Sequence, residues 1–388
     1  MEEINGGRPA SSPKGRKRPN PFVRFLAFLV TLALVLGAVA LVANYDKLNF
    51  DSIKRWFSYR PLARSDSGQA ESFSFDGDSD SIFASVGGDL LVCSPNSLQL
   101  YSGSGQLYVN DTISMENPAV DTAGETALIY DVGGEELLIY ASREEAFSLT
   151  QETGQSILSA SLNRNGWLAV VSQQSGFKGA VTIYDSDYAT PLIQISRSDR
   201  FIMDAVVSPD NRSVAVLTMG LTDGSFESRV ECYALARTEE DTEPDWSCPV
   251  GGDAILGDTG LVIVSPDGAL SGAYDYGGRY LKAFSLVGEG TAALLLGKYR
   301  AGSTAELVLV GADGAAQAAL DVNEQILSLS AAGRYVGVLT ADRLDVYNQS
   351  LESYSTLDGT QGAQSVLLRD DGSAMLISSH TAHLYVPQ

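Results

Sequence analysis

The residues able to do chemistry in this chain are few, and their spacing assembles no catalytic set. Two histidines, His380 and His383, lie three positions apart near the C-terminus. That spacing could serve a metal on a helix. Here it flanks the start of a strand, where alternation turns the two rings to opposite faces. Asp76, Asp78 and Asp80 form D-x-D-x-D, the opening of a calcium loop. Ser81 stands where the sixth position needs Gly, and Gly87 where the twelfth needs a bidentate Glu, so a solvated turn is expected. There is no G-x-S-x-G, no second domain to host a hydrolase triad and no C-x-x-C pair. No catalytic residue, metal or cofactor is expected.

The chain has three cysteines. Cys93 sits in an apolar run and reads as a small buried hydrophobe. Cys232 and Cys248 flank an acidic insertion, Arg237 to Asp245. If their runs are adjacent antiparallel strands, the two could face each other, so a disulfide stands beside two independent thiols as an expectation. For binding, the candidates are Phe177, Lys178, Phe226, Lys298, Tyr299 and Arg300. They fall in the long connections Gln173 to Gly179, Gly220 to Ser228 and Gly297 to Thr304. Aromatics and cations together on an acidic domain could mark a binding surface.

The elements that must position these residues come from a repeat. Eight times between Ser85 and Gln388 an apolar run is followed by a turn ending in Gly or Asn, then by four or five apolar-rich residues. The turn positions are Gly88, Gly124, Gly166, Asn211, Gly260, Gly290, Gly333 and Gly372, spaced 36, 42, 45, 49, 30, 43 and 39 residues apart. A period near 40 with strand-like patterning indicates a β-propeller of four-stranded blades. The next run of most copies closes on a tyrosine: Tyr101, Tyr140, Tyr184, Tyr233, Tyr274, Tyr347 and Tyr385, with Val310 in the sixth. Each ring is expected in the wedge between blades, with its hydroxyl on a rim or backbone partner. The expected fold is all-β: an eight-bladed β-propeller preceded by one transmembrane helix. A seven-bladed ring is the alternative, because the 30-residue copy leaves no room for a fourth strand between Tyr274 and the run starting at Tyr280. The last copy stops three residues after Tyr385, so Glu71 to Asp76 is expected to supply its outermost strand and close the ring.

Charge divides the chain. Residues 1–64 hold 11 Lys/Arg against 4 Asp/Glu; residues 65–388 hold 15 against 44. Nucleic acid is therefore not an expected partner, since phosphate binding needs a basic footprint. Phe25 to Ala43 is uncharged for 19 residues behind a basic leader, long enough for a bilayer core. The organisation that follows is a disordered basic cytoplasmic tail (1–21), a transmembrane helix (22–44), a juxtamembrane helix and linker (45–70) and the propeller (71–388). A cleaved signal ending near Ala38-Val39-Ala40 is the rival. Both place the propeller outside the cytoplasmic membrane, and deletion of residues 1–64 is expected to leave its folding unchanged.

Ser208-Pro209-Asp210-Asn211 followed by Val214-Ala215-Val216 resembles the repeat of TolB-like and WD-like propellers. The Gly-His and Trp-Asp marks of true WD repeats are absent. The whole layout resembles an uncharacterised family of membrane-anchored propellers of Gram-positive bacteria, and that resemblance supplies no catalytic residues. The expected function is a non-enzymatic scaffold, membrane-anchored, binding an envelope protein or cell-wall material at its loop face. The alternative is a propeller enzyme or cofactor-binding protein acting on an envelope glycan or small molecule. A buried carboxylate pair in the central channel would favour the alternative.

Overall fold

The second strands of the repeat are short, continuous apolar runs, which is what a strand buried on both faces requires. In the computed structural model, Ala127–Ile129 and Leu168–Val171 are fully buried. The structure describes residues 25, 28, 30–32, 35, 51, 54, 55, 59, 68–78, 80–237, 243–250, 260–264, 269–286 and 290–387. The chain divides into two compact units, Met1–Lys54 and Arg55–Gln388. The described residues of the first from 25 to 35 are helical, with Phe25, Phe28, Val30, Leu32 and Val35 exposed.

The second unit is an all-β propeller. Among the described residues it has seven four-stranded antiparallel blades. Blade 1 is Ile82–Val86, Asp89–Ser94, Ser97–Tyr101 and Leu107–Asp111. Blades 2 to 6 cover residues 118–150, 157–197, 201–249, 280–322 and 328–358, each with its strands in chain order. Blade 7 combines Ser365–Leu368, Ala374–Ile377 and Thr381–Tyr385 with Gln69–Ser74 from the other end of the chain. Ser72 pairs with His383, Phe73 with Ala382 and Ser74 with Thr381. Phe75 continues the contact through its N–H to the His380 carbonyl, 3.1 Å. The ring is thus closed by the segment the repeat left spare, starting at Gln69.

Two expectations are corrected here. The eight-bladed ring gives way to seven blades. Gly260–Val264 and Leu270–Asp275 of the fifth copy form a two-stranded hairpin. The reason is the short spacing already visible there. After Tyr274 the chain turns at Tyr276–Arg279, with a 3.2 Å bond from the Arg279 N–H to the Tyr276 carbonyl, and enters Tyr280–Ser285, the inner strand of blade 5. Residues 251–259 and 265–268 of that copy lie outside the described residues. Leu261, Ile263 and Tyr274 pack with Leu294, Leu296, Val308 and Val310, so the hairpin leans on blade 5. The expected transmembrane helix at 22–44 is also corrected. Among the described residues no helix is long and apolar enough to cross a membrane, and most of 22–44, like the tail 1–21 and most of 45–67, lies outside them.

Blades are held together in two ways. Their facing surfaces share apolar cores, as where Val171, Val181 and Ile183 of blade 3 meet Ile202, Val214 and Val216 of blade 4. At the axis, each innermost strand has an unpaired edge whose N–H and C=O groups need partners. Short polar side chains supply them. The Leu162 N–H donates to Asp121 of the preceding blade at 2.8 Å. Ala331, Val366 and Leu368 donate to Ser285, Ser328 and Ser330 at 2.9, 3.2 and 3.0 Å. Two of the recurring tyrosines are seen bridging neighbouring blades. The Tyr140 hydroxyl donates to Asp111 on the outer strand of blade 1 at 2.7 Å. Tyr233 accepts from Arg197 on the outer strand of blade 3 at 3.1 Å.

Candidate binding face

Alternating strand direction sorts the connections. Those joining first to second and third to fourth strands lie on one face of the disc, here the turn face. Those joining second to third strands, and one blade to the next, lie on the other, the loop face. All six candidate residues fall on the loop face, carried by blades 3 (Phe177, Lys178), 4 (Phe226) and 5 (Lys298, Tyr299, Arg300). Phe177 is 46% exposed and Tyr299 63%. The Lys178 ammonium lies 5.1 Å from the Phe201 ring centroid and donates to the Asp199 carbonyl at 2.8 Å. In blade 5, Lys298 lies 5.6 Å from the Tyr299 ring and the Arg300 guanidinium 5.4 Å from Tyr280. The cations are therefore paired with aromatic faces.

Blade 4 departs from the sequence reading. Residues 220–228, expected as a loop, are the end of a hairpin with two ten-residue strands, Ser213–Thr222 and Ser225–Ala234. Its two-residue turn, Asp223-Gly224, has φ of 52° and 84°. Positive φ at both central residues matches strand twist in a tight hairpin, and Asp-Gly is the sequence signal for it. At the tip Leu221 sits directly opposite Phe226, and further down Met219 opposes Phe201 on the neighbouring strand. Side-chain alternation puts Phe201, Met219, Leu221 and Phe226 on one face of the hairpin. Leu221 is 62% exposed and Phe226 43%.

The hairpin is held from beneath. Arg200, buried, donates to Thr218 Oγ1 at 3.0 Å and Thr222 Oγ1 at 3.4 Å on one strand, and to the Glu227 carbonyl at 2.5 Å on the other. It also lies 3.7 Å from Glu231, which faces Arg197 at 3.6 Å and accepts from Tyr233 at 2.6 Å. Burial, and then the bond to Glu231, push the Tyr233 phenol up from its ordinary value. A Cβ on Gly220 would come within 2.8 Å of the Arg200 stem, so the strand crosses it as glycine. One arginine thus ties both strands to the blade.

Cys232 and Cys248 lie on adjacent antiparallel strands, as the sequence allowed. The register offsets them: Cys232 pairs with Trp246 and Cys248 with Val230. Both are free thiols, Cys232 buried and Cys248 half-buried. On the innermost strands, Asp121 of blade 2 and Asp204 of blade 4 are close enough for the charge of one to act on the other. Burial raises the Asp121 carboxyl, with the charge of Asp204 adding to it. Each is engaged in local structure. Asp121 accepts from the Leu162 and Thr122 N–H groups, both at 2.8 Å. Asp204 accepts from Ser159 Oγ at 2.6 Å and the Ala205 N–H at 2.9 Å. Among the described residues no group of three or more His, Cys, Asp or Glu is placed to hold a metal.

Comparison with known proteins agrees with this geometry at the level of fold. The chain is similar to BamB from Moraxella catarrhalis, with 14% identity, TM-score 0.50, 82% of this chain and 97% of that one covered. It is similar to the C-terminal WD40 domain of Sif2, with 11% identity, TM-score 0.54, 82% and 99% covered. None of the curated proteins matches the chain by sequence. Residues 66–246, which take in the closing strand, blades 1 to 3 and blade 4 up to the start of its outer strand, match a family described as a family of unknown function, DUF5711.

Proposed function

We propose that the protein is a non-enzymatic binding propeller that docks a protein partner on its loop face, around the hairpin tip of blade 4. The observation that carries this reading is the opposed pair Leu221 and Phe226, exposed at the end of a hairpin that a buried arginine holds in place. A large apolar pair on a flexible loop would collapse onto its surroundings. Here the support keeps it displayed, which is how aromatic and aliphatic anchors enter a partner's pocket. Phe177 and Phe201 extend the apolar ground, and Lys178, Lys298 and Arg300 set cations beside it. On a propeller chain with 15 Lys/Arg against 44 Asp/Glu, this face suits a partner with apolar anchors and acidic groups at the rim. The alternative of a glycan- or cofactor-directed site would need free carboxylates at the axis, and Asp121 and Asp204 are used to staple inner strands. The test is a crosslinking capture from native extract with the full chain, comparing it with Leu221→Asp and Phe226→Asp. The proposal expects partners captured by the native chain and lost from both variants at unchanged melting temperature. Equal recovery by all three would refute it.

A further inference from the structure

Arg55 lies fourteen residues before the first blade strand, yet it is 2% exposed. Its guanidinium donates to the carbonyl of Asp371 and to the Tyr354 hydroxyl at 2.6 Å, and stands 5.6 Å from the centroid of the Tyr354 ring. Tyr354 belongs to the outer strand of blade 6 and packs against Tyr335, 4.8 Å between ring centroids. Asp371 lies in the turn that opens blade 7. Its carboxylate accepts from the Ser373 N–H at 2.9 Å and from Ser373 Oγ at 2.6 Å, which shapes the turn so that its carbonyl points at the arginine. Arg55 therefore joins blade 6 to blade 7.

Residues 55 and 59 are both helical, and Tyr59 reaches the same turn of blade 7 as Arg55. The Tyr59 hydroxyl lies 3.0 Å from Ser373 Oγ and accepts from Arg369 at 3.1 Å. Arg369 reaches on to the carbonyl of Gly88 in the first turn of blade 1. These contacts run across blades 6, 7 and 1 on the turn face, over the seam where Gln69–Ser74 is hydrogen-bonded to Thr381–Tyr385. Among the described residues both acceptors of the buried guanidinium are neutral, a carbonyl and a phenol hydroxyl. Bonds from a cation to neutral acceptors are weaker than a full buried ion pair, so the contact can add protection and still be released.

We propose that Arg55 and Tyr59 form a releasable latch on the ring: the pocket walled by Tyr354, Asp371 and Ser373 is an arginine-recognition site, filled in cis by Arg55, and its occupancy keeps the seam shut. The planar guanidinium suits it because two separated acceptors and a ring face must be met at once, which a lysine ammonium does poorly. The test is amide hydrogen exchange on the full chain, on Arg55→Ala and Arg55→Lys, and on Arg55→Ala supplied with a peptide of residues 51–60. Arg55→Ala should speed exchange of the 369–373 turn and of both seam strands by about tenfold, leaving blade 3 unchanged. Arg55→Lys should recover little of the protection, and the peptide should restore it. Unchanged exchange at the seam, an equal rise in every blade, full recovery by lysine, or no restoration by the peptide would overturn the proposal.

Discussion

Replacing Phe75 by alanine should open the ring at its seam, and the structure sets the size of the effect. Phe75 is 4% exposed and packs with Leu90, Val92, Met375, Ile377 and Leu384, drawn from blades 1 and 7. Its ring meets Phe83 edge-on at 5.4 Å between centroids. Truncating a buried phenylalanine costs about 3–5 kcal/mol, the lower end where neighbours can relax into the gap. At the joint between the chain's two ends, about 3 kcal/mol is expected. For a domain of this size that lowers the melting temperature by about 4–5 °C. Ser72 and Ser74 alternate with the inward phenylalanines and are exposed, so Ser72→Ala and Ser74→Ala should stay within about 0.5 kcal/mol. The assay is urea and thermal unfolding of the three variants beside the native chain. A loss below about 1 kcal/mol for Phe75→Ala, or serine variants that lose as much, would refute closure by this strand in this register.

Arg200→Ala strips a buried ion pair from Glu231 and the bonds that span the blade 4 hairpin, so it should cost about 3 kcal/mol in urea unfolding; a loss under about 1 kcal/mol would count against the support assigned to it. Asp121 gives a pH test: burial raises its folded value above the ordinary 3.8, so its stabilisation is full below that value and is lost as pH rises through the folded value. Asp121→Asn escapes that loss, so its melting temperature relative to the native chain should be higher at pH 7 than at pH 4, and the reverse order would show the sign to be wrong. Burial pushes the Cys93 thiol up to about 12, so native-state alkylation followed by mass spectrometry should find Cys93 untouched while half-buried Cys248 reacts. In the same experiment on the unfolded, unreduced chain, alkylation of both Cys232 and Cys248 is expected, and two unmodified cysteines would mean that they are bonded.

How far the fold was legible follows from which contacts are local. The second and third strands of each copy are set by adjacent residues, and the turn glycines mark them; Gly88, Gly124 and Gly166 all carry positive φ. The closing strand was legible too, because the last copy visibly lacks an outer strand and Glu71 to Asp76 alternates as one. The blade count was decided by the weakest stretch of the repeat, where 30 residues between Gly260 and Gly290 cannot hold a full blade. The hairpin of blade 4 was missed although its signal was present: Asp223-Gly224 lies between Leu217–Leu221 and Phe226–Val230, but the nearby glycine and serines read as a loop. Arg55 had no local signal. Its partners lie some 300 positions away, and no pattern within one segment records such a pairing. Deleting residues 1–64, expected to leave folding unchanged, would remove that contact.

If the supported hairpin tip is where the protein meets its partner, a photocrosslinker placed there reports the encounter. The most direct measurement replaces Leu221 and Phe226 with p-benzoylphenylalanine, one at a time, and irradiates the full chain in native extract, with a third copy of the probe on the turn face at Asn348. Crosslinks to one shared protein from positions 221 and 226, and none from 348, are the predicted result. Crosslinks from 348 alone, or the same products from all three positions, would contradict it.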